Sequence, residues 1–299
     1  VWNEQNKPYV FLVLCVLFWS GNFILGRFIH DELEPVQLAM YRWSGVLIIL
    51  LPYLVRNQKE VFSKLKSYFW MLLLLSFLGV STFNTVLYVG LQDTTATNAL
   101  LINSATPITI VLLSVIILGS KIRPLQVIGI LLSMLGVVHL ALHGEWERLL
   151  SLSFGRGDIW VITASSLWAL YSVLVRFRPP NFEGYFATTV LLGSIMLYGV
   201  FWYMGYGFFD FLDFSWPAKL TILYTIIFPS MLSYHFWHYG IAHIGPEKSG
   251  QFVHLMPIFG ATLAFIFLGE RFYMYHLGGA LLVGFGIYLS LFLGKKRAR

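Results

Sequence analysis

The sequence predicts an all-α membrane protein of about ten transmembrane helices arranged as two inverted five-helix repeats. Three observations predict it: the scarcity of charge, the length of the apolar blocks, and a self-similarity at a shift of about 150 residues. Hydrophobic residues make up 58% of the 299, charged residues 11%, and the mean hydropathy is +0.73. A soluble domain carries roughly 25% charged residues, so with so few charges most of the exterior must face lipid. The apolar residues come in blocks of about twenty, the length a helix needs to cross the hydrocarbon core. Outer-membrane barrels show instead alternating segments of about ten residues.

Ten blocks lie near 8–30, 35–55, 68–90, 95–118, 124–142, 157–176, 185–206, 217–240, 247–268 and 272–293, here called spans 1 to 10. The longest connections, 57–67 and 143–156, are too short for a second folded domain. The first block carries Trp19, Asn22 and Arg27 and lacks a small-x-small cleavage site, so it is expected to stay as a span and not to be removed as a signal. Cys15, the one cysteine, lies inside that span, which excludes an intrachain disulfide.

Lys and Arg set the orientation. With the N-terminus in the cytoplasm and each charge assigned to the nearer helix end, fourteen fall inside: Lys7, Arg56, Lys59, Lys64, Lys66, Lys121, Arg123, Arg176, Arg178, Lys248, Lys295, Lys296, Arg297 and Arg299. Five fall outside: Arg27, Arg148, Arg156, Lys219 and Arg271. The expectation is an integral protein of the cytoplasmic (plasma or inner) membrane with both termini in the cytoplasm. The formal charge of +6 reflects this bias, and without a basic soluble domain no nucleic-acid partner is expected.

The repeat appears when the chain is slid against itself. At a shift of 150, Gly90 meets Gly240, Pro107-Ile108 meets Pro257-Ile258, Leu118-Gly119 meets Leu268-Gly269, Gly129 meets Gly279 and Gly136 meets Gly286. At 149, Trp19, Leu25 and Arg27 meet Trp168, Leu174 and Arg176. The chain is therefore expected to divide into repeats over 1–145 and 146–299. Five spans per repeat is an odd number, so the second repeat enters the membrane inverted. That arrangement puts a substrate site near the midplane and supplies a geometry for alternating access, which favours a transporter over an enzyme or a structural protein.

Span 1 holds Phe18-Trp19-Ser20-Gly21-Asn22-Phe23, and span 4 holds Leu101-Ile102-Asn103-Ser104-Ala105-Thr106-Pro107. Gly157-Asp158 is followed by Trp168-Ala169-Leu170-Tyr171-Ser172, and Leu268-Gly269-Glu270-Arg271 by Gly279 and Gly286. In this order the set resembles the drug/metabolite transporter superfamily, in the branch with two tandem EamA-type repeats, over nearly the whole chain. One departure is Ser120 where the second repeat has Glu270, which points to a helix-end role for that acid. The resemblance implies a ten-helix carrier, often an exporter of amino acids or other metabolites, with spans 5 and 10 peripheral. Their stripes of small residues (Gly129, Ser133, Gly136; Ala280, Gly284) suit close helix packing, and neither span offers a convergent polar set.

Polar groups inside a membrane are costly and usually face a cavity or a partner. Trp19 and Asn22 share a face of span 1, and Trp168 and Tyr171 share the matching face of span 6; they either bracket a central cavity or pack and bond neighbouring helices. Span 3 adds Asn84 and Tyr88, span 4 Asn103, span 8 Tyr234, Trp237 and His238, and span 9 Gln251 and His254. Pro107 and Pro257 are expected to kink their helices and free carbonyls toward the cavity, as hinges. Arg42, about two turns into span 2, either holds a substrate carboxylate bidentately or serves structure by snorkelling or bonding backbone carbonyls.

No Asp or Glu lies mid-span, so a carboxylate proton relay has no support. Enzyme motifs such as His-Glu-x-x-His or Gly-x-Ser-x-Gly are absent. His235-x-x-His238 has metal-like spacing but no acidic third ligand, so neither a metal nor a cofactor is expected. A channel would need rings of charge or a filter loop. The expected partners are a small-molecule substrate and membrane lipids, and the expected working unit is a monomer. A neutral, amide-bearing, aromatic cavity with one cation suits a zwitterion or weak anion, with amino acids and related metabolites leading. Import or exchange, and another metabolite or drug class, are the alternatives.

Overall fold

A computed structural model describes residues 4–29, 31–94, 96–268, 271 and 273–291. Among these residues the regular structure is helical throughout, with no strand. Eight helices are long and apolar enough to cross a membrane: Lys7–Gly26, Pro35–Arg56, Gln58–Asp93, Leu101–Leu118, Pro124–Ala141, Arg156–Phe177, Tyr185–Tyr203 and Met274–Leu291. Two more segments, 216–244 and 246–268, are helical over comparable lengths but internally interrupted. The chain thus supplies about ten crossings. Gly269, Glu270 and the basic tail from Lys295 lie outside the described residues, as does the side chain of Arg27.

Local chemistry explains where the helices begin. Pro8, Pro35, Pro107, Pro124, Pro217 and Pro246 each occupy the first or second position of a helix. A missing N–H costs nothing there, because the first four have no intrahelical partner. Span 4 stops at Gly119, whose φ of +65° is the left-handed cap that glycine adopts without penalty. Span 3 begins earlier than expected. The 57–67 connection is itself helical from Gln58, and a non-helical Tyr68 (φ −128°, ψ 26°) separates this exposed turn from the buried span.

The interruptions come in pairs that obey the repeat. Span 3 widens to π-helix over Phe77–Thr82, and span 8 over Ile226–Leu232. Gly79 and Pro229, counterparts at a shift of 150, sit within them. Pro229 cannot donate to an α ladder and its ring crowds the carbonyl of the preceding turn; a π segment absorbs both problems. In each case a serine reaches a carbonyl five residues back: Ser81 donates to Ser76 O (3.5 Å) and Ser230 to Thr225 O (2.6 Å). Span 4 breaks between Asn103 and Thr106, and span 9 runs as 3₁₀-helix over Gly250–Leu255 before restarting at Met256. Pro107 and Pro257 are therefore not kinks inside helices. Each is the second residue of a new helix, Thr106–Leu118 or Met256–Leu268, and the break lies one residue or more upstream.

Packing repeats the same symmetry. Span 6 lies against spans 3 and 4, and span 1 against spans 8 and 9, while spans 2 and 7 face each other. A Cβ on Gly90 would sit 2.8 Å from Val161, and one on Gly240 would sit 2.6 Å from Leu12. Leu12 and Val161 are themselves counterparts at a shift of 149. Spans 5 and 10 form their own seam, in which Gly129 meets Gly286 and Gly136 meets Gly279. On span 10 the buried stripe is Gly279, Val283, Gly286 and Ser290. Gly284 faces away with open space around it and Ala280 is only half-buried, so the stripe drawn from Ala280 and Gly284 was one residue out of register.

Two ends of the bundle can be told apart. Lys64 Nζ donates to Pro180 O (2.9 Å), joining the 2–3 and 6–7 connections at what is here called the Lys64 end. At the other, Glu145 end, Glu32 accepts from the N–H and hydroxyl of Ser215 (2.5 and 2.6 Å). There too Asp158, in the first turn of span 6, accepts from Gly155 N (2.6 Å), Asn98 Nδ2 (3.1 Å) and Thr94 Oγ1. It is a helix-end acid and serves the cap.

Candidate functional site

The centre of the molecule is an aromatic cluster between the halves. Trp19 meets its counterpart Trp168 edge-on, with ring centroids 5.0 Å apart and planes at 89°. Trp237 lies 5.1 Å from Trp19 and 5.6 Å from Trp168. Beside these rings is a cavity of about 30 Å³, lined by Trp19, Asn22, Phe23, Phe83, Asn84, Leu87, Asn103, Trp168, Val253 and Met256. That volume holds a few water molecules at most. The site is closed here and must open for any larger solute. A cleft of about 20 Å³ lies toward the Glu145 end, lined by Gly26, Leu33, Tyr88 and Gln92 among others, and a wider vestibule of about 340 Å³ lies at the Lys64 end. The vestibule is bounded by Leu118, Ser120, Arg176, Phe177 and Gly245 to Glu247.

Arg42 sits directly behind the cavity wall and is 1% exposed. Its Nε donates to Ser230 Oγ (2.5 Å), its Nη2 to Pro229 O (3.2 Å), and its Nη1 to Tyr88 Oη (2.9 Å), Asn84 Oδ1 (3.0 Å) and Asn22 Oδ1 (3.4 Å). Tyr88 passes a hydrogen bond to Asn22 Oδ1 (2.9 Å). Asn84 Nδ2 donates to Tyr234 Oη (3.3 Å), which donates to Gly79 O (2.5 Å). Trp19 Nε1 also donates to Pro229 O (3.1 Å). The two π segments thus turn the carbonyls of counterpart residues, Gly79 and Pro229, toward the centre. Arg42 neither snorkels nor presents a free fork: each of its three guanidinium nitrogens donates to the protein.

The polar groups fall into two matching sets. Asn22, Asn84 and Tyr88 in the first half correspond to Tyr171, Tyr234 and His238 in the second. Tyr88 bonds Asn22 in one set, and Tyr171 Oη lies 2.7 Å from His238 Nε2 in the other. The Asn84–Tyr234 bond, between residues 150 apart, joins them. A sequence profile of the EamA-like transporter family matches residues 6–142 and again 155–292. The chain belongs to the EamA-like transporter family. It is 27% identical over 290 residues to the uncharacterized transporter YyaM of Bacillus subtilis, covering 93% of this chain and 92% of that one. It is also 27% identical over 289 residues to an uncharacterized transporter of Archaeoglobus fulgidus, covering 96% and 98%. A solved crystal structure with 16% sequence identity superposes with a TM-score of 0.78 over 96% of this chain and 97% of the other, a likeness of fold. The protein is thus a transporter of the drug/metabolite superfamily, an integral membrane protein and not an enzyme.

In this EamA-like transporter, five of the residues singled out in the sequence line the central cavity: Trp19, Asn22, Asn84, Asn103 and Trp168. Arg42 and Tyr88 stand one bond behind it. Tyr171, Tyr234, Trp237 and His238 do not line it; they form the aromatic backing, with Trp237 Nε1 donating to Ser172 Oγ (3.2 Å) and the His238 ring 5.0 Å from Tyr185. Gln251 is wholly buried away from the cavity, its Nε2 donating to Glu247 O (3.1 Å). His254 is turned the other way, with Nδ1 2.6 Å from Ser133 Oγ and Nε2 2.9 Å from Ser104 O. Ser104 is its own repeat counterpart, so this bond ties the two helix breaks together. Span 5 therefore does carry a polar contact to the core through Ser133. Sequence reasoning missed Pro229 and Ser230. Sliding Gly79 by 150 residues lands on Pro229, the signal that could have found them.

Proposed function

We propose that this transporter is a secondary carrier that moves a small organic metabolite, an amino acid or related zwitterion or weak anion, across the cytoplasmic membrane by alternating access in the export direction. Each half, 1–145 and 146–299, acts as one repeat. The observation that carries the reading is the lining of the central cavity: three amides and four aromatic rings, with no charged side chain, between helices broken at matching places. Such a lining grips a small molecule with one polar end and an apolar body, and lacks the several cations that a polyphosphate or sugar nucleotide needs. The broken spans 4 and 9 supply the elements that discontinuous helices provide in inverted-repeat carriers.

The test is a screen of radiolabelled amino acids for saturable uptake into inside-out vesicles. Asn22→Ala and Trp168→Ala are expected to raise the half-saturation constant about 5- to 100-fold, the scale of one lost polar or stacking contact of about 1–3 kcal/mol. Absence of saturable uptake for every amino acid would overturn the substrate class. Uptake only in right-side-out vesicles would reverse the direction. Orientation is tested separately: a cysteine at Glu145 is expected to react with an impermeant maleimide in intact cells, and one at Lys64 is not. The opposite pattern would invert the topology.

A further inference from the structure

We propose that Arg42 is a positioning cation whose missing counter-ion is the anionic end of the substrate: it fixes the Asn22 amide as a donor into the cavity and selects anions and zwitterions against cations. The inference rests on the carrier reading above and names the charge that reading selects.

Every group that Arg42 touches is neutral: two amide oxygens, a phenol, a hydroxyl, a backbone carbonyl and the Trp43 ring, 5.3 Å from the guanidinium carbon. The ion pairs among the described residues, Lys7–Glu4 and Arg148–Glu145, lie at the surface. A buried cation without an anionic partner is costly inside a membrane protein, and the fold does not demand this one. At the equivalent place in span 7, shifts of 149 and 150 lead to Leu191 and Leu192, neither a cation. Span 7 packs at that place without a charge. The arginine therefore answers to something other than packing.

The hydrogen bonds say how it acts. Each guanidinium nitrogen is bonded within the protein and a single Nη2 N–H is left over, so the bidentate grip on a carboxylate that Arg42 suggested in the sequence is not available. Asn22 Oδ1 instead accepts from both Arg42 Nη1 and Tyr88 Oη. An oxygen must stand where two donors converge, which fixes the amide's orientation. Asn22 Nδ2 then has no partner among the described residues, and Asn22 lines the cavity. An acceptor bonded to that nitrogen lies one amide away from the guanidinium. In a site shielded from water, this favours a carboxylate and disfavours an ammonium.

The test uses three molecules with one carbon skeleton: isovalerate, L-leucine and 3-methylbutylamine. Their binding to the full chain in nanodiscs is measured by calorimetry, with empty nanodiscs as the blank for partitioning. Wild type is expected to bind the anion and the zwitterion at least 10-fold more tightly than the amine. Asn22→Asp puts a carboxylate in reach of Arg42 Nη1, neutralises the site and removes the donor. It is expected to lose at least 10-fold for isovalerate and L-leucine, to hold or gain for the amine, and to melt no earlier than wild type. Arg42→Gln keeps a donor without the charge and is expected to bring the three affinities within about 3-fold of one another. An unchanged order in the folded variants, or a preference for the amine in wild type, overturns the inference while leaving the carrier in place. Binding of none of the three by folded wild type overturns the substrate class and the inference with it.

Discussion

Replacing Arg42 with methionine is expected to cut transport at least 30-fold while moving stability by no more than about 2 kcal/mol. Two opposed terms set the second figure. Removing a buried, unpaired charge relieves a desolvation cost of several kcal/mol. Against that, five acceptors lose a charged donor: Asn22 Oδ1, Asn84 Oδ1, Tyr88 Oη, Ser230 Oγ and Pro229 O. Some of this loss is regained, because Tyr88 still donates to Asn22 and Trp19 to Pro229 O. The terms nearly cancel in stability. They do not cancel in transport, where the Asn22 amide is held by Tyr88 alone and the field on the cavity disappears. Counterflow in proteoliposomes and the thermal midpoint in detergent, measured on one preparation, separate the two. A variant that keeps transport within 2-fold would remove Arg42 from the site.

The largest loss of stability is expected at the seam of spans 5 and 10. A Cβ on Gly129 would stand 2.5 Å from Gly286 O and 2.7 Å from Ser290 N; one on Gly286 would stand 2.5 Å from Ser133 N and 2.6 Å from Gly129 O. These neighbours are backbone and cannot rotate away, so the helices must part. Gly129→Ala and Gly286→Ala are each expected to cost about 1–3 kcal/mol or more, the range for overfilling a packed site. Gly284→Ala on the same helix meets open space and should be neutral, or stabilising by up to about 1 kcal/mol through helix propensity. Equal melting temperatures for Gly286→Ala and Gly284→Ala would show that the seam is looser than drawn.

Much of the architecture was legible because glycine and proline mark backbone geometry directly. Gly90 with Gly240, and Gly129 and Gly136 with Gly279 and Gly286, announce close approaches that the fold then makes. The site was legible as a set of residues and not as an arrangement. Asn22, Arg42, Asn84 and Tyr88 stand out because a membrane interior makes each of them expensive, yet no spacing rule shows that one guanidinium gathers the other three from spans 1 and 3. The π segments were hidden for a different reason. One extra residue in a turn shifts the apolar face by about 100°, and in a helix that is apolar nearly all round no stripe exists to reveal the shift. That concealed Pro229 and Ser230, and with them the carbonyl and hydroxyl that complete the Arg42 shell. His254 misled as well. It stood out as a buried polar side chain, but nothing in its spacing shows that its ring reaches Ser133 on span 5 and Ser104 O at the break of span 4 rather than the cavity.

The seam of spans 5 and 10 also has a mechanical meaning. Its two glycine contacts, Gly129 with Gly286 and Gly136 with Gly279, exchange under the repeat, so each half contributes an identical share. Backbone bears on backbone there, and neither helix can slide without first lifting off the other. A joint of that kind resists translation and still permits a small rotation about its own line, as an axle does. Spans 4 and 9 lie off this line, and the His254 side chain spans their breaks to Ser104 O. Spans 2 and 7 meet each other apart from the seam. For a given angle of rotation, displacement grows with distance from the axle. Under the alternating access proposed above, a turn too small to disturb the seam becomes a wide stroke at the far rim, and the gearing is set by how far from spans 5 and 10 the moving helices stand.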